Sequence, residues 1–175
     1  MAAIIYLIET LLSLCLWSVL LRLLLQWSRA DFRNPLARAI VQITNPVIVP
    51  LRRVLPAVGR IDTASCVAVV VFALLQVSVA FVLRGLGLPT PLTWLQLAVL
   101  EILRTTLWTY FFAIVMYALL SMIAPGTYSP AQALLVSLCE PVLRPFRRAI
   151  PPISGLDLSP LWACIAIQAL RILIG

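Results

Sequence analysis

Four apolar runs, each close to the length a bilayer demands, constrain this chain before anything else does. They cover about residues 3–25, 63–83, 98–123 and 158–174. At a rise of about 1.5 Å per residue, roughly 20 helical residues cross a hydrocarbon core, so the first three are long enough and the fourth is marginal. In hydrocarbon an unpaired backbone N–H or C=O finds no water, so spanning runs must be helical. Composition agrees: 63% of the 175 residues are hydrophobic and only 11% are charged, against about 25% charged in soluble domains. The expected fold is an all-α membrane protein with four transmembrane helices.

The second constraint is a repeat. Thr44 to Ser65 reads TNPVIVPLRRVLPAVGRIDTAS, and Cys139 to Pro160 reads CEPVLRPFRRAIPPISGLDLSP, at an offset of 95 residues. Pro46, Pro50, Arg52, Arg53, Pro56 and Asp62 fall on Pro141, Pro145, Arg147, Arg148, Pro151 and Asp157. So many coincidences at infrequent residue types describe two tandem units of span, connecting segment and span. The first unit is residues 1–86, with spans about 3–25 and 63–83 around an amphipathic segment 35–55. Residues 87–97 form a linker. The second is 98–175, with spans about 98–123 and 158–174 around an amphipathic segment 130–150. Each unit has an even number of spans, so the two insert as parallel repeats.

Charge sets the expected orientation. All 13 basic residues are arginine, and the net charge is +7. Nine arginines lie in the connecting segments, against Arg84, Arg104 and Arg171 toward the other side. The positive-inside rule therefore predicts cytoplasmic connecting segments, with both termini outside, in a multi-pass membrane protein. MAAIIYLIETLL lacks a basic leader, so the N-terminal run reads as a retained span rather than a signal peptide. The arginines border apolar runs, so anionic phospholipid is the expected counter-charge and no nucleic acid contact is predicted.

The connecting segments carry helix signals. Asn34-Pro35 and Ser129-Pro130 read as cap followed by first helical residue. At 100° per residue, Arg38, Gln42, Asn45, Arg52 and Arg53 share a stripe, as do Ser137, Glu140, Arg144, Arg147 and Arg148; the remainder is apolar. That is the pattern of a helix lying in the membrane interface. Pro50 and Pro145 each remove a helical hydrogen bond, so a kink or break is expected there. Asp62 or Thr63, and Ser159 ahead of Pro160, read as caps of the following spans.

EPVLRPFRRAIPPISGLDLSP strongly resembles the signature of the YggT family, whose cyanobacterial and plastid relatives are called YlmG, and the two-unit layout resembles its double-repeat form. The resemblance covers nearly the whole chain. It implies an inner-membrane or thylakoid protein without an established biochemical activity, linked to osmotic tolerance, cell division and, in plastids, nucleoid partition and cytochrome assembly. The first copy departs from the pattern: Asn45 and Val49 stand where the second copy has Glu140 and Arg144, and Ala64-Ser65 replaces Ser159-Pro160. In the second copy, Glu140 and Arg144 are spaced as an i,i+4 ion pair, and the first copy has lost both partners together.

Two groups of residues carry the functional expectations. The first is Arg52, Arg53, Arg144, Arg147 and Arg148, read as a lipid- or partner-binding surface, with topology signalling and snorkelling as the plainer reading. The second is an intramembrane polar level of Glu9, Gln76, Arg104 and Arg171. Glu9 pairing with Arg104 or Arg171, or a local Glu101–Arg104 pair, would cancel charge there.

Enzyme chemistry has little to stand on. There is no histidine, no nucleophile or metalloprotease motif and no phosphate loop. The four cysteines form no CxxC pair and read as buried apolar residues. No cofactor or catalytic residue is expected, and Asp62 and Asp157 are explained by capping or by nearby arginine. The leading functional reading is a non-enzymatic membrane scaffold or assembly factor that contacts anionic lipid, a membrane-protein partner or a second copy. The other is an ion or small-solute pathway at the Glu/Arg level.

Overall fold

The computed structural model describes residues 2–55, 62–123, 129–149 and 157–175. Pro56 and Pro151 of the repeated motif lie outside the described residues. The regular structure among the described residues is all helical: α1 Ala2–Trp27, α2 Pro35–Val54, α3 Thr63–Leu83, α4 Pro91–Ile123, α5 Pro130–Ala149 and α6 Ser159–Ile174. Three of these, α1, α3 and α4, are long and apolar enough to cross a membrane, while α6 is a shorter apolar helix.

Local chemistry explains the helix starts. The Leu36 N–H donates to Asn34 Oδ1 at 2.9 Å, and the Gln132 N–H donates to Ser129 Oγ at 3.1 Å. Each cap satisfies a donor the first turn leaves without an intrahelical partner, and the proline at the first helical position has none to satisfy. As a result, α2 and α5 begin at residues 95 apart and end at residues 95 apart. Both helices run on through their two internal prolines, Pro46 and Pro50 in one, Pro141 and Pro145 in the other, without the expected break.

Two other helix starts differ from the sequence reading. Ser159 is the first residue of α6 rather than its cap, and Leu158 takes the cap position with Pro160 in the first turn. The Ser159 N–H is instead held by Asp157 Oδ1 at 2.9 Å, so the aspartate serves the orphan donor. Helix α4 begins at Pro91, so most of the expected linker 87–97 is helical. Thr90 starts it: its carbonyl accepts from the Trp94 N–H at 2.8 Å, and its hydroxyl lies 2.8 Å from that of Thr93. The Trp94 indole N–H then bonds Ser78 Oγ at 2.9 Å and the Leu74 carbonyl at 3.1 Å, fastening the extra turns to α3.

The chain divides into two compact units. One comprises residues 1–23 and 40–105, the other 24–39 and 106–175. Each therefore draws on both halves of the sequence. In the first, α3 buries Ala64, Ser65, Ala68, Val69, Ala73 and Val77. This is a stripe at helical spacing in which small side chains allow close backbone approach. Leu16, Val19, Leu20 and Ile48 are the large buried side chains of α1 and α2 in that unit. In the second, α5 buries Leu138, Cys139 and Leu143, and α6 buries Ser159, Pro160, Ala163 and Ile167.

Candidate functional site

Two polar centres occupy the first unit, toward opposite ends of α3. The first lies at the α3 N-terminus. Arg52, in the last turn of α2, donates through Nε to Asp62 Oδ1 at 3.2 Å and through Nη2 to Asp62 Oδ2. This forked pairing matches the planar guanidinium to the carboxylate. Asp62 is only 1% exposed, while Arg52 is 48% exposed. The Ser65 hydroxyl adds a third bond to Asp62 Oδ2 at 2.7 Å. Burial alone would push the Asp62 carboxyl upward, but the bonds from Arg52 and Ser65 outweigh it and hold the group below its ordinary value. The bond to Asp62 in turn raises Arg52.

A second arginine completes this centre. Arg22, near the end of α1, is 4% exposed. Its Nη1 donates to Thr44 Oγ1 at 2.8 Å and Asn45 Oδ1 at 3.0 Å. Nothing in the local sequence around Arg22 signals these contacts. Its partners lie 22 and 23 residues away, and only the packing of α2 beside α1 brings them within reach.

The second unit holds the counterpart of this centre. Arg147 Nε donates to Asp157 Oδ2 at 3.0 Å, Nη1 to Glu140 Oε2 at 2.6 Å and Nη2 to the Tyr117 hydroxyl at 2.9 Å. Burial tends to raise Asp157, but donors from Ser159 and Arg147 prevail and hold it low. The expected Glu140–Arg144 pair does not form. Residues seven apart lie nearly in line on a helix, two turns apart, and Arg147 reaches back to Glu140 while Asp157 and Tyr117 fix its far side. Arg144 is exposed and without an ion pair among the described residues.

Shifted by 95, Arg22 and Asn45 fall on Tyr117 and Glu140. The first centre thus places a cation on the preceding helix and a neutral acceptor on the amphipathic one. The second places a neutral hydroxyl and an acid. The Glu-to-Asn difference in the motif thus acquires a physical reason: Asn45 accepts from Arg22, whereas Glu140 accepts from Arg147.

The paired arginines therefore divide their work. Arg52 and Arg147 turn inward to acids of the chain itself. Arg53 and Arg148, one residue on, are exposed and make no hydrogen bond or ion pair among the described residues, as is true of Arg144.

The other centre in the first unit lies about 20–33 Å along α3, counted at 1.5 Å per residue from Asp62 to Gln76 and Arg84. Here α1, α3 and the start of α4 enclose a pocket of about 320 Å³, lined by Glu9, Ser13, Gln76, Arg84, Glu101 and Arg104 among apolar neighbours. Gln76 Nε2 donates to Ser13 Oγ and to Glu101 Oε1, both at 3.0 Å. Glu9 pairs with Arg84 at 3.1 Å, not with Arg104 or Arg171. The alternative Glu101–Arg104 pair is also absent among the described residues: Glu101 bonds Gln76, and Arg104 carries no partner there. Three of the four residues of the expected polar level, Glu9, Gln76 and Arg104, thus line one pocket. Arg171, in the second unit, instead sits 3.4 Å above the centre of the Trp108 ring and bonds Gln168 at 2.7 Å.

Six helices among the described residues, three of them long and apolar, with most of the charge confined to helix ends and short polar centres, define an all-α membrane protein. The family model described as CCB3/YggT matches residues 1–83 and again 96–175, and the chain belongs to that family. It is 42% identical over 175 residues to an uncharacterized protein of Pseudomonas aeruginosa, covering 98% of this chain and 88% of that one. It is 35% identical over 156 residues to the uncharacterized protein YggT of Escherichia coli, covering 89% and 80%. A Vibrio alginolyticus protein is 38% identical over 171 residues, covering 97% and 92%. No solved structure matches the chain.

Proposed function

We propose that the protein is a non-enzymatic scaffold or assembly factor of the bacterial inner membrane, with α2 and α5 lying at the cytoplasmic lipid surface. In this reading α6 is a fourth span, and each half of the chain is a span, an interfacial helix and a second span. The observation that carries it is the split within each arginine pair. Arg52 and Arg147 lock the end of an amphipathic helix to the start of the helix that follows. Their neighbours Arg53 and Arg148, with Arg144, are left exposed on helices otherwise rich in apolar side chains. A guanidinium held at a helix end and without a partner among the described residues suits a lipid phosphate, which it binds through two N–H groups. A membrane-embedded partner with acidic residues would meet the same surface.

The test is native mass spectrometry of the full chain released from detergent. It compares phosphatidylglycerol and phosphatidylcholine on wild type and on the triple variant Arg53→Gln, Arg144→Gln, Arg148→Gln. The reading expects wild type to retain phosphatidylglycerol preferentially and the variant to lose that preference. Equal retention by both proteins would reject the lipid surface.

The other reading, an ion or small-solute pathway, draws support from the pocket at Glu9, Gln76 and Arg104. It is the weaker one, because Arg171, the fourth residue of that level, is occupied by Trp108 and Gln168.

A further inference from the structure

The pocket between α1, α3 and α4 holds opposite charges that decline to meet. Glu101 and Arg104 are three residues apart on α4, the spacing at which side chains on a helix are neighbours, with roughly 5–6 Å between Cβ atoms. Both line the pocket. A salt bridge between them would cancel both charges locally, yet none forms. Glu101 is held by one oxygen on the Gln76 amide, whose other N–H is fixed on Ser13. Its second oxygen has no donor among the described residues. Arg104 has all five of its N–H groups without a protein acceptor there. Glu9 and Arg84 do pair, and they form the charged rim beside them.

An anion alone would satisfy Arg104 and face the Glu101 carboxylate. A cation alone would satisfy Glu101 and face Arg104. What suits both is a molecule bearing an ammonium and an anionic oxygen group a few ångströms apart. We infer that this pocket binds a small zwitterion, its anionic oxygens on Arg104 and its N–H donors on the free oxygen of Glu101. The volume, about 320 Å³, lies at the small end of ligand sites and suits a small solute or a lipid headgroup. Gln76 is a positioning residue: it fixes the Glu101 carboxylate and keeps it from swinging onto Arg104.

Two sources supply this chemistry: a free amino-acid-like solute, and the headgroup of phosphatidylethanolamine entering from the bilayer. The site needs nothing from Arg53, Arg144 or Arg148, so it stands or falls apart from the lipid surface proposed above.

The experiment uses the full chain in two arms. In the first, calorimetry in detergent measures glycine and O-phosphoethanolamine, with acetate and ethylamine as the two half-ligands. In the second, native mass spectrometry measures retention from mixed micelles holding equal phosphatidylethanolamine and phosphatidylglycerol. Variants Glu101→Gln and Arg104→Gln each remove one charge, Arg104→Lys restores a cation, and melting curves confirm that each remains folded. Binding of the free zwitterions, at least ten-fold tighter than either half-ligand and weakened at least ten-fold by both neutral variants, assigns a solute site. Selective retention of phosphatidylethanolamine, lost in both and partly recovered in Arg104→Lys, assigns a headgroup site. Binding in neither arm, or binding that folded Glu101→Gln and Arg104→Gln leave unchanged, overturns the inference.

Discussion

The guanidinium of Arg52 closes in a two-pronged grip on the buried carboxylate of Asp62, ten residues further along the chain. The grip ties the last turn of α2 to the cap residue of α3, and the Arg147–Asp157 bond repeats it between α5 and α6. Each bond joins the end of an amphipathic helix to the start of an apolar one, and a charge-assisted pairing of this kind is stronger than a neutral hydrogen bond.

Removing the acid tests the grip. Asp62→Ala strands the Ser65 hydroxyl in a buried site and releases Arg52, and the expected loss is about 1–3 kcal/mol. Asp157 is 42% exposed against 1% for Asp62. Water compensates the Arg147 side more readily, so Asp157→Ala costs less, about 0.5–1.5 kcal/mol. Denaturation in mild detergent, monitored by circular dichroism, ranks the two.

The acids also set a pH dependence. Asp62 and Asp157 titrate below the ordinary 3.8 in the folded protein. A depressed carboxyl contributes its stability in full above the unfolded pKa and loses it as pH falls through the folded value. The two clasps are therefore constant across neutral pH and weaken only below about pH 4. Carbon-detected NMR of labelled aspartate shows both carboxyls still ionised at pH 4; a carboxyl half-protonated at pH 5 would contradict the clasp geometry.

The exchanged pairs Arg22/Asn45 and Tyr117/Glu140 predict a coupling. Arg22→Tyr alone leaves Asn45 without its donor, at about 1–2 kcal/mol. Adding Asn45→Glu recreates the second unit's set, in which the acid turns to the arginine seven residues on. The double variant recovers about 0.5–1 kcal/mol relative to the sum of the single changes, measured as a double-mutant cycle. Strict additivity would mean that the two positions do not share a network.

Cys139 offers a probe of α5 packing. It is fully buried, and burial and the neighbouring Cys164 push its thiol to about 12 despite Arg147 nearby. A thiolate is the reactive form, so a maleimide at pH 8 leaves Cys139 unmodified in the native protein and labels it after denaturation. Rapid native labelling would mean that α5 detaches from its bed.

Much of this architecture was legible in the sequence because its causes are local. The caps at Asn34 and Ser129 sit two or three residues from the N–H groups they serve. The aspartates follow their arginines at a constant ten residues, so proximity was foreseeable from the chain alone. The contacts that were not legible are long-range. Arg22 to Asn45, Trp94 to Ser78 and Glu9 to Arg84 depend on which faces of separate helices meet. The Glu9 case shows why. Repeat symmetry pointed to Arg104, the residue 95 positions on, but Arg84 ends α3 beside α1 and takes the acid first. Glu140 shows the complementary difficulty: the i,i+4 rule named Arg144, but a cation already pinned by Asp157 and Tyr117 makes the better partner.

The central claim is that neighbouring arginines in one motif have opposite duties. The most direct measurement places Arg52→Gln/Arg147→Gln beside Arg53→Gln/Arg148→Gln and reads both the melting temperature and phosphatidylglycerol retention for each. The account predicts that the first double variant melts lower by several degrees and, while folded, still retains the lipid. It predicts that the second melts like wild type and loses the lipid. The claim is contradicted if the second variant melts lower while the first loses the lipid, or if the two variants behave alike.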